Sequence, residues 1–158
     1  MAYEYYVSIE GTSQGKFKGE SDRTPYKDKI PGFSYQSSVA SPRDAASGQA
    51  TGKRRHEPVV LHKKVGAATP MISQALTKNE VLKTVLFEFV NTTKDGKEQV
   101  FFTIKLTNAT ISNQRIYLPA ISGDLHHLDL SEEVSFTFQK IEWAHEVAKT
   151  RTADDWTA

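Results

Sequence analysis

Apolar residues in this chain recur mostly at every second position, the period of strands with one face on a core. Over residues 3–9, Tyr3, Tyr5, Val7 and Ile9 share one phase. Residues 11–29 are too hydrophilic for a core element. A second strand is expected over 29–37, where Pro31 confines it to an edge or a strand start. Residues 38–51, SVASPRDAASGQAT, hold small and polar types without an apolar period and predict an extended loop. Such long connections inside a compact domain are usually functional or disordered. A strand over 53–63 follows, centred on Val59, Val60 and Leu61.

After Gly66 the period lengthens. Thr69 as N-cap and Pro70 at the first helical position open a helix over 70–78. Met71, Ile72, Ala75 and Leu76 form its apolar stripe. A helix this short needs a sheet to pack on. Residues 81–90 and 98–110 then read as two arms around Asp95-Gly96, a strong hairpin turn pair. The second arm runs on towards Ile111, and a short strand is expected at 115–118. Residues 119–130 are rich in turn formers. In the last long strand, 131–145, Val134, Phe136 and Phe138 hold one phase, while Ile141 and Trp143 hold the other. A β-bulge at Gln139-Lys140 would reconcile the two. Residues 146–158 read as a polar tail ending near Trp156. One short helix among about seven strands predicts a mainly β fold, an antiparallel barrel or sandwich with a side helix. No repeat or composition break divides the chain, so residues 1–158 read as a single domain.

Composition narrows the function classes. Twenty Lys and Arg stand against nineteen Asp and Glu, a balance that offers no field for nucleic acid or an anionic membrane. The same balance leaves little repulsion against self-association. With no cysteine, disulfides, thiolate zinc sites and thiol nucleophiles are excluded.

The remaining candidate chemistry is thin. Gly48-Gln-Ala-Thr-Gly52-Lys53-Arg54 resembles a phosphate-binding loop. However, it has one residue too few between its glycines, Arg54 where Ser or Thr should hold magnesium, and a strand after it instead of a helix. The basic run Lys53-Arg54-Arg55-His56 lacks stacking aromatics in sequence and reads as a solvated strand start or a subunit contact. His126 and His127 are adjacent, as are Glu132 and Glu133, and Asp154 and Asp155; on strands such neighbours diverge. No catalytic residues, metal ligands or cofactor-binding residues are expected, and no cofactor.

The stretch TGKRRHEPVVLHKKVGAATPMISQAL, residues 51–76, resembles the Hcp (haemolysin-coregulated protein) family, the tube proteins of type VI secretion. Gly52-Lys53, the His62-Lys63 step, the Ala67-Ala68 linker and the Thr69-Pro70 helix opening fill that family's places. The hairpin at Asp95-Gly96 is also similar to it, as are the closing FQKIEW, residues 138–143, and the ending Asp155-Trp156-Thr157-Ala158. The resemblance implies a homo-hexameric ring stacked with others into a tube. It further implies a contractile sheath around the tube, a spike protein at its tip, effector proteins in its lumen and no enzymatic activity. It implies a cytoplasmic protein that is secreted on firing without a Sec signal peptide, in keeping with an opening, MAYEYYVSIEG, that lacks a basic n-region and an apolar h-region. No stretch reaches transmembrane length. The loop at 38–51 is the candidate ring-stacking contact, through Ser41, Pro42, Arg43 and Asp44, because Arg43 and Asp44 offer opposite charges to a facing ring. The other readings are a tail-tube protein of a phage or another contractile injector, and a monomeric β-barrel binding module.

Overall fold

A computed structural model describes residues 4–118 and 130–156. The strands are β1 (Glu4–Gly11), β2 (Gly15–Lys16), β3 (Ile30–Gly32), β4 (Ser34–Gln36), β5 (Val39–Ala40), β6 (Arg55–His56) and β7 (Val59–Lys64). After the helix α1 (Thr69–Thr77) come β8 (Leu82–Thr92), β9 (Glu98–Tyr117), β10 (Ser131–Thr137), β11 (Lys140–His145) and β12 (Thr150–Asp155). All pairings are antiparallel.

One sheet runs through β1, β8, the first half of β9, β11 and β12, with β2 and β3 on the outer edge of β1. The other runs from the second half of β9 through β10 and β7 to β4. Three crossings join them into a barrel. The segment expected as one strand over 29–37 divides at Phe33: β3 pairs with β1 and β4 with β7. Pro31 lies on β3, an outer strand, where its missing N–H costs least. β9 is continuous, so the separate strand expected at 115–118 is its far end. It bends near Asn108, which has φ 51°, and Ser112 is an extra residue opposite β10.

The third crossing replaces the bulge expected at Gln139-Lys140. The strand breaks there, and β10 lies on residues 110–117 of β9 while β11 lies on 102–107. The inward phase changes because the chain changes sheets: Val134 and Phe136 are buried before the break and Ile141 after it.

The core follows the alternation. Tyr5, Val7, Ile9, Leu61, Val85, Phe87, Ile104, Leu106, Val134 and Phe136 point inward and are buried. The polar stretch 11–29 contributes more than its composition implies, since Phe17 and Tyr26 are both buried. Tyr26 stacks on Tyr6 at 4.3 Å and covers the outer face of β1. A short turn after β1 is gathered by Glu80, whose Oε2 accepts the Ser13 and Gln14 amides at 3.0 Å each. Burial pushes the Glu80 carboxyl up, but hydrogen bonds from Gln14 and Ser13 outweigh it and hold the group below its ordinary value of 4.5. A depressed folded value means that Glu80 stabilises the fold above pH 4.5 and loses that contribution as pH falls through the folded value. Glu80→Gln is therefore expected to lower the midpoint of thermal unfolding at pH 7 and to narrow its gap from wild type at pH 3, in parallel melts.

The helix lies on the barrel through a buried polar knot. Lys63 and Glu132 are both fully buried, with Nζ 2.5 Å from Oε1. The same Oε1 accepts the Thr69 hydroxyl at 2.6 Å, and Oε2 accepts the Gln114 amide at 2.8 Å. Lys63 also donates to the Lys64 carbonyl at 2.7 Å and sits 3.2 Å from Glu20. Thr69 is thus not the N-cap. It is the first helical residue, after Ala68, because its hydroxyl is drawn to Glu132. Pro70 is the second helical residue, one place later than expected but still in the first turn, and Ile72 and Ala75 face the core.

Candidate assembly surfaces

Residues 38–51, expected as a loop, form most of a projecting hairpin. β5 pairs with β6, Val39 opposite His56 and Ala40 opposite Arg55. Further out the Thr51 amide donates to the Pro42 carbonyl at 3.0 Å, and Arg43 bridges to Ala50. At the tip the Asp44 amide donates to Gln49 and the Gly48 amide to Asp44, both at 2.8 Å. Gly48 takes φ 74°, a left-handed conformation that side chains resist. Composition hid this element because no face of it is buried: every residue from 36 to 53 is exposed.

Ser41, Pro42, Arg43 and Asp44 lie together on the outgoing side of this arm. Their chemistry differs from the simple pair of opposite charges. The Asp44 carboxylate accepts the Ser47 hydroxyl at 2.7 Å and the Ala46 amide at 3.3 Å. The Ser47 bond leads in holding its carboxyl below the usual range. Asp44 therefore builds the tip, and Arg43 is the charge left to reach outward.

The arm is rooted on an element that reads as tail in the sequence. Residues 150–155 form β12, paired along all of β11. Its sequence TRTADD carries no apolar alternation because the strand is an exposed edge; the β-branched Thr150 and Thr152 were the available signal. Asp154 accepts Arg54 Nε at 2.8 Å and Nη2 at 2.7 Å, and His56 Nε2 lies 2.6 Å from Oδ2. Arg54 Nη2 also donates to the Asp155 carbonyl at 2.7 Å. Hydrogen bonds from Arg54, then from His56, pull the Asp154 carboxyl down to about 2. The His56 ring is buried between Trp156, 5.0 Å away, and Phe138, 5.3 Å away. The basic run is thus half absorbed: Arg54 and His56 turn inward to β12, while Arg55 is exposed beside Glu57.

Among the described residues no group of three His, Cys, Asp or Glu side chains could hold a metal ion. His62 faces Glu133 at 3.1 Å, and His145 accepts the Ala148 amide through Nδ1. His126 and His127 lie outside the described residues. Glu132 and Glu133 diverge as expected, one into the core and one to the surface. Behind the Gly48–Arg54 glycine pattern comes β6, so no helix N-terminus faces it. No described helix is long and apolar enough to cross a membrane.

The architecture is a closed antiparallel β-barrel with a side helix and a projecting arm. Comparison with known proteins finds this same class. A family model described as "Type VI secretion system effector, Hcp" matches residues 6–145. The "Major exported protein" of Pseudomonas aeruginosa strain PAO1 is 36% identical over 169 residues, covering 99% of this chain and 96% of that protein. A crystal structure of an Hcp protein superposes with a TM-score of 0.91 at 30% identity, covering 98% of each chain. The secreted protein Hcp3 from Pseudomonas aeruginosa superposes at 0.81 with 29% identity, covering 99% of this chain and 100% of that one. The chain belongs to the Hcp family of type VI secretion proteins.

Proposed function

We propose that this chain is the structural subunit of a type VI inner tube, six copies closing a ring and rings stacking through the arm. The observation that carries the reading is the arm. It is an ordered hairpin whose residues 36–53 are all exposed, on a barrel that has no need of it for its own core. An isolated two-stranded hairpin is marginal in water, so a partner surface is the natural site for its stabilisation. Arg43 is the residue offered to that partner.

Ring closure requires two different patches that meet head to tail. One candidate is an apolar rim at one end of the second sheet. Phe33 and Leu118 are each 60% exposed there, with Ile116 and Leu130 beside them. Lys64 lies over the Phe33 ring, and the Val65 amide donates to the Leu130 carbonyl, which brings Phe33 and Leu130 to the same end of β7 and β10. A soluble monomer rarely leaves such a patch open. The protein's work is mechanical: a contractile sheath drives the tube, a spike caps it, and effectors ride in the lumen. Its secretion accompanies firing. The family match favours this machine over a phage tail tube.

Sizing with light scattering and negative-stain microscopy tests the proposal. Six-membered rings, with tubes at high concentration, are expected. Arg43→Ala with Asp44→Ala should leave rings intact and shorten or abolish tubes. Tubes unchanged in that variant would remove the arm from the stacking contact, and a strict monomer at micromolar concentration would remove the ring.

A further inference from the structure

We propose that Asp154 is a positioning residue for the arm: by holding Arg54 and His56 together, the edge strand β12 sets the direction in which the arm leaves the barrel. The assembly consequence rests on the arm being the stacking contact; the mechanical claim does not.

The arm's own hydrogen bonds run within it. The bridge at Arg43, the turn at Asp44 and the Thr51–Pro42 bond fix its shape but not its angle to the barrel. Even the bond at its base, Glu57 N–H to the Ser38 carbonyl, joins one arm strand to the other. Among the described side chains, the pair at positions 54 and 56 ties the arm to β12. Two apart on an extended chain, they share a face and reach one carboxylate. The Arg54 fork engages both Asp154 oxygens, and a planar bidentate contact fixes orientation as well as distance. The third bond, from Arg54 to the Asp155 carbonyl, ties the fork to the backbone of β12. The ring of His56 is then wedged against Phe138 and Trp156, on either side of that strand's connections. A carboxylate that merely kept an exposed edge soluble would face water, whereas this side chain is 28% exposed and triply bonded.

Leverage makes the angle matter. Arg43 lies four residues from Val39, which is opposite His56 at the root, so about 13 Å of chain separates them at roughly 3.3 Å per residue. A swing of ~10° at the root moves Arg43 by about 2 Å, enough to break a hydrogen bond. A stacking contact at Arg43 therefore needs the root held.

The test uses full-length protein carrying Asp154→Asn or Arg54→Gln, and the two together. The distance between spin labels at Ala45→Cys on the tip and Lys83→Cys on β8 is read in this cysteine-free chain, with hydrogen exchange in β8 as the control for folding, beside sizing and negative-stain microscopy. The tip-to-β8 distance should shift or broaden by about 2 Å or more in either single variant, because the root no longer fixes the angle of the arm. β8 should be unchanged, rings should persist and tube yield should fall. The double variant should have less effect than the two single changes added together, because they share the Arg54–Asp154 contact. Should Asp154→Asn also loosen β8, Arg54→Gln carries the test, since its side chain lies at the surface of the root. An unchanged tip-to-β8 distance distribution in a folded variant overturns the proposal. A loosened arm with tube yield unchanged upholds the positioning claim and instead defeats the stacking role of the arm.

Discussion

Lys63→Met is expected to destabilise the barrel by ~3–5 kcal/mol, because it strands the buried Glu132 charge, and Glu132→Ala by less, because Lys63 keeps Glu20 beside it. Both side chains are fully buried and 2.5 Å apart. Without Lys63 the Glu132 carboxylate keeps only the neutral donors Thr69 and Gln114. Domains of this size hold ~5–15 kcal/mol in total, so Lys63→Met removes a large share. Glu132 also accepts from Thr69 and Gln114, so its loss frees the start of α1 and the outer part of β9. The double variant Lys63→Met with Glu132→Leu removes both charges. It should cost less than the sum of the single changes by ~2 kcal/mol or more. Urea unfolding followed by Trp143 and Trp156 fluorescence measures all three. Single variants within about 1 kcal/mol of wild type would show that the pair is solvated and not a lock.

The alternation that marks these strands was legible wherever one face is buried. Phe102, Ile104 and Leu106 on β9, and Val134 and Phe136 on β10, lie on the core side that their phase implies. Crossings between sheets were harder, because a strand that changes partners mid-run leaves the local pattern almost intact. Nothing around Phe33 says that one half pairs with β1 and the other with β7; that division is set by barrel closure. The phase slip near Gln139 did mark a corner, although a bulge and a break leave the same trace in sequence. Buried polar residues were the least visible. His62-Lys63 signals a family, but no periodicity places Lys63 opposite Glu132 in the interior.

The assembly surfaces divide in the same way. Residues 38–51 stood out by composition as a segment with no business in a core, and the structure makes them an arm. Its hydrogen-bonded shape was hidden, since an all-exposed hairpin carries no hydrophobic code. The tip chemistry was half legible: Arg43 and Asp44 are neighbours of opposite charge, but Asp44 followed by Ala45, Ala46 and Ser47 also spells a side-chain-capped turn, and that use claims it. The root contact joins residues about one hundred apart, so it depends wholly on the tertiary fold.

Phe87→Ala is expected to cost ~3–5 kcal/mol and to abolish ring formation at concentrations where wild type assembles. Phe87 is fully buried at the middle of β8. Its ring meets Tyr35 of β4 at 5.0 Å, Phe136 of β10 at 6.1 Å and Tyr5 of β1 at 6.5 Å. Those partners come from both sheets, so the one side chain fills the space across which the barrel closes. The cavity left cannot collapse easily, because the Tyr5 hydroxyl is fastened to the Ser34 carbonyl and Tyr35 is held by its own edge contacts with Phe89. Assembly draws on the same free energy: a subunit that is partly unfolded withholds binding-competent copies, and ring formation falls by mass action. Raising protein concentration should therefore restore part of the ring population of Phe87→Ala. A variant at Arg43 should not respond in that way at the level of rings, since its barrel is intact. Thermal melts beside sizing at two concentrations separate the cases, and an unchanged melting temperature for Phe87→Ala would refute the packing described here.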